Sequence, residues 1–130
     1  MKKIVIPYRA FFPNEEPKPL ISIQLDGYGE IHALLDSGAD TTSLPLAFAK
    51  QARIDYEKGI PRMSECAHGD TSEGWEVSCL IEFNGESLQV PICFSEDMGN
   101  PPLIGRKGFF EVFRVTFDEK RREITLERNG

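Results

Sequence analysis

Asp36, Ser37, Gly38 and Asp40 follow one another at the end of an apolar run, in ALLDSGADTTS (residues 33–43). A buried strand normally avoids ending in an ionised acid, because an unpaired interior charge is costly unless its pKa moves or donors surround it. The pattern makes sense where the interior needs a carboxylate. Gly38 has no Cβ and lets backbone amides come close to Asp36, and Ser37 adds a hydroxyl, so donors rather than bulk water could hold the acid. The chemistry this suits is acid–base work on a water molecule. Hydrolysis of an amide removes a proton from water and delivers one to the carbonyl oxygen or the leaving nitrogen, and a single Asp falls short of both. Two carboxylates forced together do both, since their repulsion leaves one protonated and one ionised.

The elements that must position this loop are short. Residues 20–25 nearly alternate in polarity, Asp26-Gly27 signals a hairpin turn, and residues 31–35 read as the returning strand that ends at Asp36. Residues 45–52 are rich in helix formers behind a proline suited to a first turn. SECAHGDTSEGW (64–75) is polar with two glycines, and the alternating stretch 77–83 after it completes a long hairpin. Asn84-Gly85 is the strongest turn dipeptide and leads into a strand at 87–94. Residues 98–102 form a loop, and a short helix is expected over 107–113. Strands at 114–117 and 123–127 bracket a charged turn at 118–122. Residues 1–17 stand apart as an extended arm, closed by the proline-rich FFPNEEPKP, and 18–130 form one domain. Short strands with frequent turn punctuation indicate an all-β sandwich or barrel with one or two short helices.

Composition narrows the partners. The 130-residue chain carries a net charge of −6 with a pI near 5.0, which argues against a nucleic-acid partner held by general electrostatics. Cys66, Cys79 and Cys93 show neither CxxC spacing nor a histidine cluster, so free thiols are expected rather than a disulfide framework or zinc site. No metal or cofactor is implied. Pro7 and Arg9 interrupt the first apolar run well short of a secretory leader, and no stretch approaches the roughly 18 apolar residues of a membrane span. A cytoplasmic protein without membrane association is the expectation.

LLDSGAD (34–40) resembles the active-site signature of the retropepsin-like aspartic proteases. LIGR (103–106) is similar to the element that packs beneath that loop in the family. Lys18-Pro19-Leu20 resembles, more weakly, the basic residue and proline before the first strand of the viral enzymes, and the Asn84-Gly85 turn also falls where the family has one. The similarity spans residues 18–113 with the order of elements kept. It implies a retropepsin-like acid-protease barrel and an aspartic endopeptidase acting on a peptide or protein substrate. Only one Asp-Ser-Gly occurs in the chain, so a two-Asp site implies a homodimer with Asp36 of each protomer on the two-fold axis.

The resemblance also implies roles. Asp36 is the catalytic carboxylate, and Ser37 the residue whose hydroxyl locks the two active-site loops together, with Gly38 beside it. Gly38, Ala39, Asp40 and Thr41 contact substrate, joined by His68 and Gly69 from the flap at 64–75. Asp40 pairs with Arg106, a task that suits the guanidinium fork better than a lysine. The arm at 1–17 exceeds what the compact viral enzymes carry. The segment 114–127 looks like the strand–turn–strand of cellular and bacterial relatives. Other readings accompany these. Asp, Ser and Gly are ordinary turn residues, His32 reads as a strand residue outside the chemistry, and Trp75 reads as a packing anchor at the flap base. A non-catalytic peptide-binding or dimerisation module that keeps the fold is the alternative function.

Overall fold

The computed structural model describes residues 2–65, 71–96 and 101–130. Its strands are β1 (Lys3–Pro7), β2 (Leu20–Leu25), β3 (Gly29–Leu35), β4 (Thr42–Pro45), β5 (Ile60–Glu65), β6 (Thr71–Phe83), β7 (Glu86–Ser95), β8 (Leu103–Ile104), β9 (Phe113–Asp118) and β10 (Glu123–Arg128). The single α-helix among the described residues, α1 (Leu46–Gln51), is short and follows Pro45. The fold is all-β.

Seven strands form one sheet in the order β2-β3-β8-β4-β7-β6-β5, and a further β2–β6 pairing curls it toward closure. Gln24, Glu30, His32, Ser87 and Gln89 are exposed on β2, β3 and β7, and the residues that alternate with them (Ile23, Leu25, Ile31, Ala33, Leu88, Val90) are buried. Such period-two burial is what a half-covered strand requires. Asn84 and Gly85, both at positive φ (51° and 81°), turn β6 into β7. Two positive-φ residues make the tight turn whose twist matches the flanking strands.

A second sheet has the order β1-β10-β9. β1 pairs antiparallel with β10 from Lys3↔Glu127 to Pro7↔Glu123, so residues near both chain ends are zipped together within one protomer. The two sheets meet over an aromatic cluster: Phe83 and Phe109 lie 5.4 Å apart, Phe83 and Phe113 5.5 Å, and Phe109 and Phe113 5.1 Å, between ring centroids. Phe109 and Phe113 are almost fully buried.

Four elements differ from the sequence expectations, the first being β1, a paired strand inside the segment expected to be an extended arm. The helix expected over 107–113 is a tight coil at Arg106–Phe110, interrupted because Lys107 is extended and Gly108 sits at φ +84°; Phe113 already belongs to β9. The hairpin expected from residue 64 begins at Ile60. Strand β4 (TSLP) has little β-forming character of its own and lies between the Asp36 loop and the helix, where the sequence marks no strand.

Candidate active site

Two strands that are distant in sequence close on the loop carrying Asp36. β8 pairs in parallel with β3 (Leu34↔Leu103, Leu35↔Ile104), and on its other side pairs with β4 through Ser43↔Leu103. The two-residue strand is thus wedged between the chain entering the loop and the chain leaving it. Backbone bonds continue the wedge: the Leu34 amide donates to the Pro102 carbonyl at 2.9 Å, and the Asp36 amide to the Ile104 carbonyl at 3.0 Å.

Past β8 the same segment clamps the loop from below. The Arg106 amide donates to the Ala39 carbonyl and the Lys107 amide to the Asp40 carbonyl, each at 2.9 Å. The Gly105 amide donates to the hydroxyl of Thr42 at 3.2 Å, and Thr42 is buried. Gly105 is required by space: a Cβ there would sit 2.5–2.8 Å from the Thr41 backbone. The Arg106 guanidinium closes the clamp by pairing with the Asp40 carboxylate. Both side chains are mostly exposed, so the pair contributes at most about 1 kcal/mol, and the backbone bonds carry the anchoring.

The contradiction of an apolar strand running into an acid resolves in this geometry. Asp36 lies just past the end of β3 and is only partly buried. Its Oδ1 accepts the Gly38 amide at 2.9 Å, and the Ala39 amide donates to the Asp36 carbonyl at 3.1 Å, folding the loop around the acid. Ser37 and Gly38 are exposed at the loop tip, Ala39 and Thr41 are half-buried, and Asp40 is exposed. His68 and Gly69 lie outside the described residues.

The hairpin β5–β6 stands beside the loop. Its lower rungs place Arg62 and Met63 in a cleft of about 240 Å³ shared with Asp40, Thr41, Ser43, Glu76 and Cys93. Arg62 and Glu76 form an ion pair at 3.5 Å across that cleft. Trp75 is half-buried, with its ring edge-on to Tyr56 at 5.0 Å. Two roomier clefts, of about 440 and 580 Å³, contain no residue of the Asp36 loop. His32 is exposed on β3 and sits 3.2 Å from Glu30. Sequence reasoning missed Thr42, Arg62 and Glu76. No local pattern announced any of the three.

Cys79 and Cys93 are buried free thiols. Burial pushes the Cys79 thiol up to about 11, and burial, aided by the Glu76 charge, raises Cys93.

A family model for aspartyl proteases matches residues 21–104, the stretch from β2 through β8. The chain belongs to the aspartyl protease family. The structure resembles that of a retropepsin-like aspartic protease from Rickettsia conorii, with a TM-score of 0.73 at 17% identity over 96% of this chain and 89% of that one. It also resembles the EIAV protease complexed with the inhibitor HBY-793, with a TM-score of 0.52 at 21% identity over 73% of this chain and 88% of that one. Identities this low establish a common fold. No curated protein sequence matches the chain. Among the described residues no helix is long and apolar enough to cross a membrane.

Proposed function

We propose that the chain is an aspartic endopeptidase that works as a homodimer, with Asp36 of each protomer facing the other across a two-fold axis. One carboxylate of the pair is ionised and takes a proton from water as the water attacks a peptide carbonyl. The other is protonated and gives its proton to the carbonyl oxygen. Collapse of the resulting gem-diol returns a proton to the leaving nitrogen and breaks the C–N bond. Carboxylate pairs of aspartic proteases are the reference case for such splitting of two identical acids.

The observation that carries this reading is the hold on Asp36: its carboxylate takes the Gly38 amide at 2.9 Å while the Ile104 carbonyl fixes its backbone. A pinned, half-buried acid at the start of an anchored loop suits contact with a twin better than a plain turn residue would. Gly38, Ala39, Asp40 and Thr41 line the approach and would bind the substrate backbone, with the β5–β6 hairpin closing over it to exclude water.

The test is Asp36→Asn, which keeps shape but removes the shared proton. Peptide cleavage is expected to vanish while circular dichroism and sedimentation stay as in the wild type. Cleavage near the wild-type rate in that variant would remove the mechanism.

A further inference from the structure

The cleft of about 440 Å³ lies between β1, the chain that follows it, and strands β2 and β3, away from the Asp36 loop. Its wall is mostly apolar: Ile4 and Ile6 come from β1, Phe11 from the segment after it, and Leu20, Ile21 and Phe83 from the first sheet. Its charged groups are Arg9 and His32, and no Asp or Glu contributes to it. The cleft of about 580 Å³ is the reverse, with Asp26 and Glu82 in its wall and no basic residue. In a chain of net charge −6, two bases without an acid run against the overall balance.

The two bases are not equivalent. His32 already has Glu30 at 3.2 Å. Arg9 forms no ion pair among the described residues. Its backbone is nevertheless fixed: the Arg9 amide donates to the Lys18 carbonyl at 2.9 Å, and the Lys18 amide to the Arg9 carbonyl at 2.7 Å. A guanidinium without a partner thus stands on pinned backbone beside an apolar cleft. A single planar fork matches a carboxylate through two parallel bonds. At a water's share of roughly 30 Å³, the cleft holds on the order of fifteen non-hydrogen atoms.

We propose that this cleft binds an organic monocarboxylate with an unbranched apolar tail, of about eight to ten carbons in all, which fits a space of that size. Arg9 takes the carboxylate, and the isoleucine and phenylalanine side chains cover the tail. A tail without polar groups suits a wall whose uncharged polar side chains are Ser22 and Asn84 alone. Because Arg9 is exposed, the head group stays partly in water, and tail burial supplies much of the affinity. The site is separate from the Asp36 chemistry and does not depend on it.

Calorimetric titration of the full chain with sodium octanoate tests the proposal. Saturation is expected at one octanoate per chain. Acetate, which lacks the tail, and 1-octanol, which lacks the charge, should each bind at least about tenfold more weakly. Arg9→Gln should weaken octanoate about tenfold and, at an exposed position, leave circular dichroism unchanged. Phe11→Ser should weaken octanoate as well, by removing part of the wall around the tail. Asp36→Asn should bind octanoate as the wild type does, whatever becomes of cleavage. Absence of saturation, 1-octanol binding as tightly as octanoate, or affinity unchanged by Arg9→Gln or by Phe11→Ser overturns the proposal. Loss of binding in Asp36→Asn overturns it too, since the anion would then sit at the Asp36 loop.

Discussion

Arg106 holds the Asp36 loop twice: its guanidinium pairs with the Asp40 carboxylate and its backbone amide donates to the Ala39 carbonyl. The two bonds differ in kind. The ion pair is exposed and water competes for it, whereas the amide bond continues the strand-like ladder that begins at Leu34 and Pro102. Arg106→Leu should therefore cost about 1 kcal/mol or less in stability. Cleavage should drop by tenfold or more, because a loop displaced by a fraction of an ångström misplaces Asp36. Thermal melting and kcat/KM on one peptide check the split. A large melting shift with unchanged kcat/KM would show that the pair serves stability instead.

Thr42→Val tests the hidden end of the clamp. The substitution keeps shape but removes the acceptor of the Gly105 amide in a buried place. A loss of about 1–3 kcal/mol is expected in urea unfolding. Gly105→Ala should cost a similar or larger amount, because its Cβ meets the Thr41 backbone at 2.5–2.8 Å and backbone cannot swing aside.

Phe113 joins the two sheets, and Phe113→Ala should cost about 3–5 kcal/mol. Urea unfolding of the purified variant checks this, and a loss below about 1 kcal/mol would contradict the packing of the aromatic cluster.

Cys79 supplies a pH-dependent prediction. Its thiol is raised from an ordinary 9.0 to about 11 by burial, so the neutral form is favoured in the fold. The stability this represents is full below pH 9 and is lost as pH rises from 9 through about 11. At pH 8 iodoacetamide should leave Cys79 untouched in the native protein and label it in urea. Equal labelling in both states, located by peptide mass mapping, would contradict the burial described here.

Much of this was legible in the residues. β2, β3 and β7 announce themselves by alternation, and Asn84-Gly85 by a turn chemistry that few other dipeptides share. The Asp36 loop and the Leu103–Arg106 element can be paired on paper through the family resemblance. β8 is different: two residues give no periodicity, and its place between β3 and β4 is a tertiary fact. β1 was hidden for the same reason, since KIVIP pairs with a strand more than a hundred positions away and reads locally as part of an arm. The coil at Arg106–Phe110 defeats a helical reading because Gly108 takes a left-handed conformation that breaks the turn after one round. Arg62 and Glu76 meet across a cleft only because β5 and β6 pair, so nothing local marks them.

In the proposed homodimer one active site is built from two chains. Calorimetric titration with a peptide analogue whose scissile carbonyl is replaced by a hydroxyl-bearing carbon measures this directly. Saturation is expected at one analogue for every two chains, with binding abolished by Asp36→Asn. Saturation at one analogue per chain, or binding indifferent to that substitution, would contradict it.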